Sequence, residues 1–73
     1  MKQAIKSWYF STRGRPIRSS NQNCIRLSHE GPRCYTVFLH HLEVKVLHGV
    51  ASTEKGGREI VARLAKILGE DGH

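Results

Sequence analysis

YTVFLHHLEVKVLHG, residues 35–49, is the longest apolar-rich run in the chain, and its reading decides the fold. Its even positions Phe38, Leu42, Val44 and Val46 make a nearly continuous apolar face, as expected of a strand with a side-chain period of two. The odd positions change character midway: Val37 and Leu39 are apolar, whereas His41, Glu43 and Lys45 are polar. From Cys34 to Leu47 the run holds fourteen residues, against about 5 to 6 for an ordinary strand. A bulge or bend near His40 and His41 is expected, with two strands as the alternative. Val37 and Leu39 fit either the second side of a covered sheet or a partner-binding patch.

Upstream, CIRLSH (24–29) alternates Ile25, Leu27 and His29 on one face with Cys24, Arg26 and Ser28 on the other, and EGPR (30–33) breaks the strand. A hairpin across that break would set His29 opposite Cys34 and Cys24 opposite Leu39. That register disfavours a Cys24–Cys34 disulfide, so two reduced thiols are expected. Downstream, STEKGGREIVARLAKILGEDG (52–72) has helix punctuation. Ser52 or Thr53 can cap the start, Ile60, Val61, Leu64, Ile67 and Leu68 share one face, and Gly69 stands where a C′ glycine belongs. Glu59 and Arg63 are spaced for an i,i+4 pair on the other side. The Gly56-Gly57 doublet costs about 1 kcal/mol per residue against alanine, placing the start of the stable helix near Arg58. The expected fold is α+β: a small antiparallel sheet of two to four strands with one C-terminal helix packed on it.

At 73 residues the chain has room for one domain. Its hydrophobic content of 38% is too high for a disordered chain. The expected organisation is a basic, partly flexible N-terminal arm over residues 1–22 with a possible strand at 7–13, a sheet-plus-helix core over 23–69, and a tail at 70–73. No run approaches a signal peptide or a membrane span, so a cytoplasmic protein is expected. The charge is lopsided. Lys2, Lys6, Arg13, Arg15, Arg18 and Arg26 all precede the first acid, Glu30, whereas six cations and six acids follow from there, so the whole net charge of +6 sits in residues 1–29. That asymmetry points to a polyanionic or acidic partner.

The histidines do not make a metal site by spacing. On a regular strand His40 and His41 point to opposite faces, and His40 and His48 lie roughly 26 Å apart. Zinc needs its nitrogen ligands at about 2.0–2.1 Å. They read as sheet histidines able to gain charge below about pH 6.5. No metal and no cofactor is expected, and the six scattered acids give no catalytic cluster, so an enzyme is not expected.

KSWYFSTRGRPIR (6–18) interleaves four cations with Trp8, Tyr9 and Phe10. Cations can hold phosphates while aromatic faces stack on unpaired bases. The competing reading is a core strand using Trp8 and Phe10. Within this segment Arg13-Gly14-Arg15-Pro16 resembles the core of an AT-hook, which implies insertion into the minor groove of A·T-rich DNA. Thr12 stands where that family has proline, and a simple turn is the alternative. EKGGR (54–58) offers Lys55, Arg58 and backbone amides as a secondary anion site at a helix start. A sheet followed by a helix is also similar, as architecture alone, to double-stranded-RNA-binding and AP2-like domains.

In length, basic N-terminus and lack of enzyme motifs the chain resembles small host-takeover proteins of lytic bacteriophages, in particular inhibitors of host RNA polymerase of the Xanthomonas-phage type. The resemblance implies a transcription regulator that binds host bacterial RNA polymerase and inhibits initiation, with disturbed sigma-factor engagement as one route. The expected partner-binding residues are Lys6, Trp8, Tyr9, Arg13, Arg15, Arg18 and Arg26. The alternative is direct DNA or RNA binding, in the A·T-rich minor groove or to a single strand, by the same basic segment. A monomer is expected.

Overall fold

The computed structural model describes residues 6–71, and side chains as far as Gly69. Five strands precede one helix: β1 (Lys6–Phe10), β2 (Pro16–Ile17), β3 (Asn23–Gly31), β4 (Cys34–His41), β5 (Val44–Ala51) and α1 (Glu54–Asp71). They form one antiparallel sheet in the order β2-β1-β3-β4-β5, with α1 on one face. The α+β architecture is as expected, with one strand more than the upper count. From the segment 1–22, β1 and β2 are sheet strands, residues 1–5 lie outside the described residues, and 18–22 form no regular element.

The long apolar run is two strands. Leu42 and Glu43 make the turn, and Leu42 takes the left-handed conformation at φ 57°. Because His41 pairs with Val44, odd positions of β4 share a face with even positions of β5 from His41 back to Phe38, where a register shift between Val37 and Phe38 restores equal parity. Val44 and Val46 therefore stand with Leu39 and not with Phe38, which corrects the single-strand alternation. The β3–β4 register also differs by one residue from the expected one. β3 continues past an irregularity at Glu30, Gly31 pairs with Cys34 around Pro32 and Arg33, and His29 meets Tyr35 while Cys24 meets His40. Both cysteines are free.

One face of the sheet carries Phe10, Ile25, Leu27 and Val37 under Val61, Leu64 and Ala65 of the helix, with Trp8, Tyr35, Leu39, Ile60 and Leu68 packed around them. Val37 and Leu39 are thus core. Fully burying a side chain of the size of Ile25, Leu27 or Val37 contributes about 1.5–3 kcal/mol each. The helix starts earlier than expected. Thr53 caps it: Gly56 N–H donates to Thr53 Oγ1 at 3.0 Å and Gly57 N–H to the Thr53 carbonyl at 3.0 Å. It also runs through Gly69 instead of ending there. A C′ glycine must adopt positive φ, and among the described glycines only Gly14 does, at 86°. Among the described residues no helix is long and apolar enough to cross a membrane.

Candidate nucleic-acid interface

The helix covers one face, and the alternation of side chains sends a second set of residues to the other. On that open face Tyr9, Arg26, Phe38 and Leu47 are successive partners across β1, β3, β4 and β5, and Ile17 of β2 extends the row beside Tyr9. Cys24, His40 and Lys45 form the next row. Ser7, Ser28, Thr36 and Val50 form the row on the other side. The small members of the central strand, Cys24 and Ser28, are buried between larger neighbours, and Ser7 Oγ and Ser28 Oγ are joined by a hydrogen bond of 3.2 Å.

Phe38 is the centre of the charge pattern. The Arg26 guanidinium carbon and the Lys45 ammonium nitrogen each lie 5.0 Å from its ring centroid. Such cation–π contacts hold a guanidinium in place without neutralising it. Arg26 Nε and His40 Nε2 are buried atoms with no hydrogen-bond partner among the described residues. Burial, then the charges of Arg26 and Lys45, hold the His40 imidazole below its usual pKa of 6.5. Glu30 reaches the far end of this face, where it accepts from Thr36 Oγ1 at 3.3 Å.

His40 carries a pH prediction. An unfolded histidine titrates near about 6.5, so a folded pKa below that favours the neutral form. The contribution of His40 to stability is present above about pH 6.5 and is lost as pH falls through its folded value. Urea unfolding of the wild type and of His40→Gln at pH 7.5 and at pH 5.5, pH values chosen to bracket about 6.5, should show a smaller acid-side loss in the variant. Equal losses would remove His40 from the account.

The expected site residues fall on three surfaces. Tyr9 and Arg26 lie on the open face. Lys6, Trp8 and Arg58 gather on the helix side, where the Lys6 Nζ is 5.1 Å and the Arg58 Cζ 5.6 Å from the Trp8 ring, and Arg58 Cζ is also 5.6 Å from the Phe10 ring. There Trp8 serves the core. Arg13 and Arg15 sit on the β1–β2 turn, which Ser11 organises: its Oγ accepts from Arg13 N–H and Arg15 N–H at 3.2 Å, and its carbonyl accepts from Gly14 N–H at 2.8 Å. Arg13-Gly14-Arg15-Pro16 is therefore a closed turn, and lacks the extended backbone of an AT-hook core. Arg13, Gly14, Ala65, Lys66 and Leu68 are among the residues that line a groove of about 660 Å³. Arg18 is exposed after β2.

Lys55 is exposed, and the helix start does not offer a free anion site around it. The Gly56 and Gly57 amides are taken by Thr53, and Arg58 Nε donates to Glu54 Oε2 at 2.9 Å. Among the described residues no group of three or more His, Cys, Asp and Glu is placed to hold a metal ion. Phe38, His40 and Lys45 are site members that sequence reading did not select. The signal of Phe38 and His40 lay in the even-position alternation of β4, which aligns with Arg26 only once the register is known, and Lys45 joins them only through the Leu42–Glu43 turn. No protein-family model, curated protein or solved structure matches this chain.

Proposed function

We propose that this chain is a non-enzymatic nucleic-acid-binding protein. The observation that supports this reading is the state of its cations: among the described residues the one ion pair is Arg58–Glu54. Arg13, Arg15, Arg18, Arg26 and Lys45 therefore present charge with no carboxylate holding it, spread from the β1–β2 turn to the open face of the sheet. Unpaired cations on a scaffold of net charge +6 favour a polyanion, because each phosphate contact releases condensed counterions.

A second reading, binding to host bacterial RNA polymerase with inhibition of initiation, is favoured by a different observation. β5 is an outer strand, and its Val44, Val46, Leu47 and Val50 are exposed. An apolar strand edge beside cations suits a protein partner with an acidic surface. The experiment is a pull-down of the tagged protein from bacterial lysate, with and without nuclease. Retention of nucleic acid, with co-purifying proteins lost on nuclease treatment, is the expected result. Polymerase subunits that stay after nuclease treatment would replace the first reading by the second.

A further inference from the structure

We infer that the open face of the sheet is a platform for single-stranded nucleic acid, on which bases stack against Tyr9 and Phe38 while Arg26 and Lys45 hold the backbone. This inference rests on the nucleic-acid reading and names its ligand class and its site.

The face has the parts that such a ligand requires, in one row. Tyr9 and Phe38 are half-buried, and a base that stacks on Phe38 takes the place of the Arg26 and Lys45 side chains over its ring, which swing onto the ligand backbone. They flank Arg26, the partner of both across the central strand. Strands spaced about 4.8 Å apart set the two aromatic positions roughly 10 Å from each other, with a cation between them for the connecting phosphate. Lys45 supplies a second cation on the far side of Phe38. Every base has a π-face, so aromatic and guanidinium planes accept bases in any order. In a duplex those faces are stacked on neighbouring bases and are not available, so this surface distinguishes strandedness and not sequence.

The edge of the platform is also suited to a flexible strand. Ile17 beyond Tyr9 and Leu47 beyond Phe38 continue the row as apolar positions. The row on one side, Ser7, Ser28 and Thr36, is polar and holds Glu30 on Thr36 Oγ1, so the cations lie within the aromatic row, at Arg26, and in the row on its other side, at Lys45.

The test is fluorescence anisotropy with a labelled oligothymidylate of about 12 nucleotides and a duplex of the same length, within the span of known single-strand platforms. The variants are Tyr9→Leu, Phe38→Leu, Lys45→Gln and the pair Arg13→Gln/Arg15→Gln, each checked by thermal melting. Leucine keeps an apolar side chain at the two half-buried positions and removes only the ring. The single strand should bind more tightly than the duplex, and each ring removal should weaken it roughly 5- to 100-fold. Lys45→Gln, a change at an exposed position, should reduce the slope of log affinity against log salt by about 0.7. Single-strand affinity within about twofold of wild type in both ring variants would overturn the inference, since a lost base stack is worth more than that. Equal binding of duplex and single strand, lost only in the Arg13/Arg15 pair, would overturn it and leave the nucleic-acid reading standing. Binding of neither probe at low salt would overturn both.

Discussion

Leu27→Ala is expected to lower the free energy of unfolding by about 3 kcal/mol, within the range of roughly 2–5 kcal/mol for truncated buried leucines. Leu27 is fully buried in the central strand, with Trp8 and Val37 as its cross-strand partners on the face under the helix. Above it lies Gly57, which has no side chain to fall into the vacated space. The cavity therefore stays open, which puts the cost above the transfer energy of the lost methyls alone. A domain of this length stands at the low end of the usual stability of about 5–15 kcal/mol, so the variant should lose a large fraction of it. Urea unfolding should show a lower midpoint at unchanged slope. Ile67→Ala, a change at a half-exposed helix position, is the control and should cost far less. A Leu27→Ala loss under about 1 kcal/mol would contradict this packing.

The open face and the core face of the sheet depend on one another through the parity of each strand. Ile25 and Leu27 can enter the core only if Cys24, Arg26 and Ser28 turn outward. Covering the sheet with a single helix then leaves Arg26, Tyr9 and Phe38 on a side that no other element among the described residues reaches. An open face follows from covering the sheet on one side only, and its charge follows from the placement of Arg26 in β3 and Lys45 in β5. The same economy explains Trp8 and Phe10, which the small core takes for itself, so that of the aromatic triplet only Tyr9 stands on the open face.

Much of this was legible in the residues. The alternation Ile25, Leu27, His29 against Cys24, Arg26, Ser28 gave both faces of β3, and of the helix face read as Ile60, Val61, Leu64, Ile67 and Leu68 all but Ile67, which is 51% exposed, pack on the core. Two features carried no local signal. The turn at Leu42–Glu43 has neither glycine nor asparagine, and Leu42 adopts φ 57° at a cost of about 1–2 kcal/mol because the strands on both sides hold it there. The irregularity at Glu30 shifts the β3–β4 hairpin by one residue, and hairpin turns of two or four residues fit EGPR equally well. The site depended on both. Lys45 comes over Phe38 only when β5 folds back on β4, and Arg26 meets Phe38 only in the observed register.

Gly57→Val is expected to destabilise the protein by about 1–3 kcal/mol, although the position lies in a helix where most residues are better than glycine. A Cβ at Gly57 would stand 2.6 Å from Leu27 Cδ1 and 3.5 Å from Tyr35 Cβ. Leu27 is fully buried, so relieving the contact means repacking its side chain within the core or lifting the helix from the sheet. At Gly69 nothing lies within 4 Å of the same atom, and Gly69→Ala should stabilise by up to about 1 kcal/mol. The opposite signs separate helix propensity from contact with the sheet. The decisive form is the double variant. Leu27→Ala removes three carbons from the place into which Gly57→Val puts them, so the two changes should compensate. Their combined loss should fall short of the sum of the single losses by about 0.5–3 kcal/mol, as found for residues in direct contact. Strict additivity in the urea midpoints would mean that α1 does not rest on Leu27, and the packing of helix on sheet would have to be redrawn.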